Sequence, residues 1–290
     1  MQAGLGGGAV NGLIPVLPAS GGALLAGLVV MLALAFGTWL VSVAKRDVSI
    51  VDAVWSLMLL AGAITYALAA PGAGERAAWV LALIVVWAIR LSAHIIWRGW
   101  GEPEDHRYQT IRARNQPGFA WKSVYLVFAL QAVLAWMVSL SLYASVSGQA
   151  AMGWLDVAGL LLAASGILIE TLADLQLGRF RAQSGNEGRV MDRGLWRYSR
   201  HPNYFGEFCV WWGFYLVALS AAGGVASAAI FLVSPLLMSL LLLKVSGVVL
   251  LEKDIAQRRP GYREYVAATN AFFPGPSRRG ASRAPGPGRA

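Results

Sequence analysis

Seven apolar runs separated by short polar connections set the limits on what this chain can become. They fall at roughly 22–44, 48–70, 77–97, 121–147, 154–177, 203–221 and 225–251. A helical span needs about 20 mostly apolar residues. Lipid offers the backbone no hydrogen-bond partners, so only helices and closed barrels cross it. None of the runs alternates with the period of two that a barrel strand requires. The sequence therefore predicts an all-α polytopic membrane bundle of seven transmembrane helices. Charge is correspondingly scarce: 13% of the 290 residues are Asp, Glu, Lys or Arg, against about 25% in soluble domains.

The basic residues predict the topology. Lys45 and Arg46 follow the first run, and Arg98, Arg107, Arg112, Arg114 and Lys122 follow the third. Arg179, Arg181, Arg189, Arg193, Arg197 and Arg200 follow the fifth, and Lys253, Arg258, Arg259 and Arg263 follow the seventh. The connections on the opposite side carry only Arg76. Because basic loops stay in the cytoplasm, the N-terminus is expected outside and the C-terminus inside. The net charge of +9 follows this loop pattern, so no nucleic-acid partner is expected. Residues 1–21 read as an extracytoplasmic segment. Met1–Ser20 has no Lys or Arg, and without a positive n-region no signal cleavage is expected. Residues 274–290, rich in Pro, Gly, Ser and Arg, are expected to be a disordered basic tail that touches anionic lipid. The single cysteine, Cys209, excludes an intramolecular disulfide and any cysteine-based metal cluster; no metal site is expected.

Ionisable groups inside spans are expensive and are functional candidates. The second run carries Asp52, with Ser49 and Ser56 on the same helix face at i−3 and i+4 and Tyr66 continuing the stripe. In the third run Trp87, Arg90, His94 and Arg98 share a face. Arg90 is a candidate ion partner for Asp52, and a lone histidine such as His94 is more often a hydrogen-bonded core residue than a ligand. The fifth run places Glu170, Asp174, Gly178 and Arg181 at i, i+4, i+8 and i+11. Two carboxylates one turn apart repel unless something sits between them. An amide, ribose hydroxyls or a basic side chain would serve, and a ladder from Asp174 to Arg181 or Lys244 is the purely structural version. Carboxylates accept two hydrogen bonds and suit ribose, while the arginine fork suits pyrophosphate.

The densest polar stretch is Leu195–Glu207, LWRYSRHPNYFGE, directly ahead of an apolar run. It gathers Arg197, Tyr198, Arg200, His201, Asn203, Tyr204 and Glu207. One reading is a solvated basic loop; the sharper one is a site for an anionic cofactor at the membrane–water boundary. After the last run comes KDIAQRRPGYREY, with Arg259, Tyr262 and Tyr265, where interfacial aromatics ordinarily mark the headgroup level.

RYSRHPNYFGE followed by a Trp-rich span and then LLEKDIAQRRPGYREY resembles the steroid 5-alpha-reductase-like membrane proteins. DVSIVDAVW (Asp47–Trp55) and EDHRY (Glu104–Tyr108) look like the bacterial branch of that family. The resemblance runs over roughly Lys45–Pro274. Its RHPxYxG core is shared with the isoprenylcysteine carboxyl methyltransferases. The resemblance implies that residues 22–273 form one steroid-reductase-like domain in the bacterial inner membrane, holding NADPH from the cytoplasmic side and taking a lipid or steroid-like substrate sideways. Carried over, the cofactor contacts are Glu170, Asp174, Arg181, Arg197, Tyr198, Arg200, His201, Asn203, Tyr204, Glu207, Lys244, Glu252, Arg259 and Tyr262. Glu252 stands where the family has a tyrosine.

The Gln-Glu pair with which the steroid reductases polarise a carbonyl is absent. Asp52 and Tyr108 are the nearest acid and loop tyrosine and are the catalytic candidates. The expected reaction is NADPH-dependent reduction of a conjugated C=C in an apolar carbonyl compound, with Asp52 acting as a protonated acid or Tyr108 donating to the developing enolate. Two alternatives stay open. One is an S-adenosylmethionine-dependent membrane methyltransferase, although Leu251-Glu252-Lys253 stands where those enzymes carry paired glutamates. The other is a non-enzymatic transporter or scaffold built round Asp52, Arg90 and Glu170, which matched helix breaks in two halves would favour.

Overall fold

The computed structural model describes residues 17–71, 73–222, 225–245 and 261–278. Among them every regular element is helical. In chain order these are α1 (Leu17–Lys45), α2 (Ile50–Ala69), α3 (Glu75–Gly99), α4 (His106–Arg114), α5 (Phe119–Ser123), α6 (Leu130–Val138), α7 (Leu140–Ser147), α8 (Trp154–Ala182), α9 (Pro202–Ala221), α10 (Val225–Phe231), α11 (Val233–Leu240) and α12 (Tyr262–Ala268). Two compact units result: Met1–Met152 with Ala218–Phe231, and Gly153–Val217 with Leu232–Ala290.

Six helical stretches among the described residues are long and apolar enough to cross a membrane: Gly21–Lys45, Ile50–Ala69, Glu75–Gly99, Phe119–Val138, Trp154–Ala182 and Ala228–Val245. The chain is thus a multi-pass membrane protein by length and composition of its helices. α9 falls outside this set although it is 20 residues long, because Asn203, Glu207 and its Trp and Tyr residues lower its hydropathy. The exposed faces are greasy, as lipid contact requires: Leu25, Val29, Phe36 and Leu40 stand open along α1.

In the first unit α1 lies against α2 at small residues. A Cβ on Gly27 would sit 2.3 Å from the Tyr66 ring, and one on Gly62 would sit 2.2 Å from Met31 Cε. Tyr66 pairs its hydroxyl with Ser139 Oγ at 2.8 Å and meets Tyr143 edge-on. The indoles of Trp39 and Trp136 donate to the carbonyls of Ala120 and Leu24 at 2.8 and 2.9 Å. These bonds fasten α1 to the stretch from α5 to α6.

The fourth apolar run is not one straight helix. Val124–Ala129 is π-helical, and the helix breaks at Ser139, whose hydroxyl bonds Trp136 O at 2.7 Å. A serine that back-bonds its own helix competes with the backbone ladder. The seventh run breaks between Phe231 and Val233, where the Phe231 carbonyl, four residues before Pro235, gets no donor from that position because proline has no N–H. That run then continues as a π-helical turn, Leu241–Val245; its expected end, residues 246–251, lies outside the described residues, as do most of the N-terminal segment and residues 279–290 of the tail.

Arg76 does not behave as a lone surface charge. It is 3% exposed and donates to the carbonyls of Gly148 and Ala151 at 3.2 and 3.1 Å. A buried guanidinium needs acceptors, and the connection after α7 supplies them.

In the second unit α8 and α9 pack backbone to backbone. A Cβ on Gly166 would lie 2.5 Å from Gly206 O, and one on Gly159 would lie 2.6 Å from Gly213 O. The glycines recur at seven-residue spacing on both helices, the small-residue seam by which membrane helices approach closely. This seam sets Glu170 and Asp174 of α8 beside the first turns of α9.

Candidate functional site

Among the described residues, each unit carries a polar cluster. In the first, the connection after α3 folds back as α4 and clasps the start of α2. Asp105 caps α4, accepting from Arg107 N at 2.9 Å, as an N-cap carboxylate should. Arg107 then bridges two carboxylates: Nη2 reaches Asp52 Oδ2 at 2.7 Å and Nε reaches Asp105 Oδ1 at 2.9 Å. Tyr108 donates its hydroxyl to Asp52 Oδ1 at 2.5 Å. One turn on, Arg112 grips Glu104 bidentately at 2.8 and 2.7 Å and lies over the Phe119 ring at 4.7 Å. Glu104 also accepts from Val48 N at 2.9 Å.

The electrostatics follow from these contacts. Burial pushes the Glu104 and Asp105 carboxyls up, but hydrogen bonds and charge from Arg112 and Arg107 outweigh it and hold both below the usual carboxylate range. Burial, reinforced by the Asp52 charge and hydrogen bond, raises the Tyr108 phenol far above its ordinary value, against smaller opposing effects of Arg107 and Gln131. Tyr108 is therefore a proton holder and a hydrogen-bond donor at any physiological pH. Asp52 accepts from both neighbours, one on each oxygen.

The serine and tyrosine stripe of α2 is consumed by structure. Ser49 bonds Asp47, Ser56 donates to Ala88 O at 3.0 Å, and Tyr66 pairs with Ser139. Asp52 pairs with Arg107 in the ion bridge for which the sequence had suggested Arg90. His94 is half-buried with its ring 6.3 Å from Trp97.

In the second unit the LWRYSRHPNYFGE stretch is built, not loose. Gly194 turns at φ +57, where a Cβ would sit 2.4 Å from Gln176 Oε1. Gln176 accepts from Leu195 N at 2.9 Å, and the Trp196 indole donates to Ala173 O at 3.0 Å. The 3-10 turn Gly194–Arg197 is thereby pinned on α8. Tyr265 donates to Trp196 O at 2.5 Å and Ser199 Oγ to Phe272 O at 2.7 Å, tying the same turn to α12 and the segment after it. Pro202 then opens α9, the first-turn position that proline tolerates.

The carboxylates expected from the α8 face are indeed inside: Glu170 is 2% and Asp174 7% exposed, and Glu207 of α9 is 8% exposed. Asn203 donates its amide to Asp174 Oδ1 at 3.2 Å, so an amide is a partner of that carboxylate. His201 is buried and stacks on Tyr204 at 5.7 Å. Arg200 caps α12, its Nη1 donating to Thr269 O at 2.7 Å and Val266 O at 3.2 Å. Tyr262 is buried beside Tyr265. Arg181, Arg197, Tyr198 and Lys244 are exposed. Glu252 and Arg259 lie outside the described residues.

Arg197 lines a cavity of about 380 Å³ with Asp192, Arg193, Gly194, Thr269 and Ser277. The lining sets two arginines and two hydroxyl residues beside the Asp192 carboxylate, and a guanidinium fork is a donor suited to phosphate oxygens. Sequence reasoning missed Arg193, Gln176, Trp196 and Tyr265 as the parts that shape this turn. Only Gly194, following Arg193 at the start of the motif, signalled a special backbone position.

The chain is similar to "Uncharacterized protein C594.04c" of Schizosaccharomyces pombe, 26% identical over 264 residues that cover 81% of this chain and 75% of that protein. No solved structure matches it. Residues 38–269, a range that includes Asp52, Tyr108, Asp174 and Glu207, match the family described as "Protein of unknown function (DUF1295)", and the chain belongs to that family.

Proposed function

We propose that this protein is an integral membrane oxidoreductase that uses NADPH to reduce a conjugated C=C bond in an apolar, lipid or steroid-like carbonyl compound. The observation that carries the reading is the buried acid–amide set of the second unit, Glu170, Asp174, Asn203 and Glu207, on two helices held at backbone contact. Ionisable groups are costly inside a membrane helix and are placed there where function needs them. The donor set around Arg193 and Arg197 suits a phosphate-bearing cofactor, and guanidinium groups suit a cationic sulfonium poorly. This favours NADPH over S-adenosylmethionine.

In this reading Asp174, Asn203 and Glu207 orient the cofactor through hydrogen bonds, and Arg193 and Arg197 neutralise its phosphates. Bound NADPH supplies the hydride. Tyr108, which rests with its one O–H on Asp52 Oδ1, turns that O–H to the carbonyl oxygen as negative charge develops there. Asp52, ion-paired to Arg107, orients that phenol and does not serve as the proton source. The α-carbon proton comes from water.

The accompanying topology has α9 as a seventh span, the N-terminus outside and the C-terminus in the cytoplasm of a bacterial inner membrane. At about 1.5 Å per residue, the 20 residues of α9 reach across the roughly 30 Å of hydrocarbon. Every second connection is basic, which supports this orientation.

The test is thermal stabilisation of the detergent-purified protein by NADPH, NADH and S-adenosylmethionine in parallel. A ligand at a hundred times its Kd stabilises by about 2.7 kcal/mol, which a melting curve resolves. NADPH alone should shift the wild type and should fail to shift Asp174→Asn and Glu207→Gln. Full NADPH binding in both variants would remove the assigned site, and a shift with S-adenosylmethionine alone would replace the reductase reading with methyl transfer.

A further inference from the structure

Tyr108 has one O–H, and it is committed to Asp52 at 2.5 Å. One turn further along α2, the indole Nε1 of Trp55 is buried and has no acceptor among the described residues. Trp55 follows Asp52 by three positions, so the two share a helix face. A buried donor left unmade is a standing penalty that native proteins avoid, and tryptophan is ordinarily placed where its N–H finds a partner. The residues flanking it on α2 give no alternative acceptor: Val51, Met58 and Leu59 are fully buried hydrocarbon, and the Ser56 hydroxyl is turned to Ala88 O.

We infer that Trp55 is a ligand-binding residue, its indole N–H anchoring the acceptor oxygen of an otherwise apolar molecule held against the Asp52 face of α2. The ligand class follows from the chemistry. A donor with no charge selects a neutral oxygen acceptor, a ketone, ester or ether, and the hydrocarbon around it selects an apolar body. A cation gains nothing from an N–H. This rests on the reading of the Asp52–Tyr108 cluster as the substrate end, and it adds a donor that is available without disturbing the Asp52–Tyr108 bond.

The experiment uses the full chain in detergent micelles with ¹⁵N-labelled tryptophan indoles. The chain has 12 tryptophans, and Trp55→Phe identifies the Trp55 resonance by its loss. The probe is 4-octylcyclohex-2-en-1-one, and octylcyclohexane, the same body without oxygen, is the control. The enone should move the Trp55 N–H resonance downfield while the hydrocarbon leaves it in place. Trp55→Phe should bind the enone about tenfold more weakly, the ordinary size of one neutral hydrogen bond. Trp55→His, which keeps a ring N–H, should recover part of that affinity and stands in as the binding variant if Trp55→Phe folds poorly. The apparent melting temperature of unliganded Trp55→Phe should not fall, because the lost N–H held nothing.

Equal affinity of wild type and Trp55→Phe for the enone, an equal resonance shift with the hydrocarbon, or no enone binding by the wild type would each overturn the inference. NADPH stabilisation, read on the same samples, separates this outcome from the fate of the reductase reading. A chain that binds NADPH but shows no Trp55 response keeps its cofactor and loses this anchor.

Discussion

The phenol of Tyr108 and the carboxylate of Asp52 meet at 2.5 Å across 56 residues of sequence, with Arg107 on the other carboxylate oxygen at 2.7 Å. The bond fixes the phenol in place and keeps its proton. If Tyr108 stabilises a developing enolate, Tyr108→Phe should lower turnover of an enone substrate by about 100-fold while NADPH still raises the melting temperature as in the wild type. Single-turnover kinetics with NADPH oxidation as the readout checks this, and an unchanged rate would take Tyr108 out of the chemistry.

Removing the carboxylate has a different signature. Asp52→Ala removes one of the two carboxylates that hold the half-buried Arg107 guanidinium and leaves Asp105 on it, and the lost bonds should destabilise by about 1–3 kcal/mol. Asp52→Ala combined with Arg107→Met should recover none of that loss, because Asp105 then loses its guanidinium partner as well. Thermal melts of the single and double variants decide it.

Acid should loosen the α4 clasp. Glu104 and Asp105 titrate below their ordinary values of 4.5 and 3.8. A carboxyl depressed in the folded state contributes stability that is complete above its unfolded pKa and is lost as pH falls through the folded one. The clasp is thus at full strength above about pH 5 and weakens progressively below that. Tyr108 and Arg107, both raised, contribute fully below their unfolded values and lose that contribution only in strong alkali. Melting temperature followed from about pH 7 to about pH 3 should fall, and Glu104→Gln with Asp105→Asn should start lower and flatten the fall.

The α8–α9 seam should tolerate no side chain. Gly166→Ala would drive a Cβ against Gly206 O at 2.5 Å and Val210 N at 2.7 Å. Backbone atoms cannot swing aside, so about 1–3 kcal/mol of overpacking is expected. Gly37→Ala on exposed α1 meets nothing within 4 Å and should be neutral or stabilising by up to about 1 kcal/mol. Equal melting temperatures for the two variants would contradict the seam.

Arg200 is expected to act through α12. Arg200→Ala removes the donors to Val266 O and Thr269 O and should speed hydrogen exchange in Tyr262–Ala268 by about tenfold, the equivalent of about 1.4 kcal/mol. Exchange mass spectrometry across that segment reads it directly. Unchanged protection would mean that the cap contributes nothing.

The chain's own pattern was enough for the class of fold and for the acidic face of α8. Length and apolarity dictate spanning helices, and the i, i+4 spacing of Glu170 and Asp174 places both carboxylates inside because helix periodicity is a local property. The crowded Leu195–Glu207 stretch announced itself by composition. Local rules could not say which of its arginines face outward. Arg200 turns to cap α12 and Arg197 to line a cavity, although they lie three positions apart.

Tertiary structure decided the partners. Asp52 looked like a match for Arg90 on the neighbouring helix, and the structure hands it to Arg107 and Tyr108 from a loop that periodicity cannot place. Arg76, which the sequence marked only as the basic residue of the opposite-side connections, is buried under the carbonyls that follow α7. Pairings of this kind depend on where a loop of mixed charge comes to rest. Its position follows from many weak contacts between residues distant in sequence, whereas a helix follows from hydrogen bonds four residues apart.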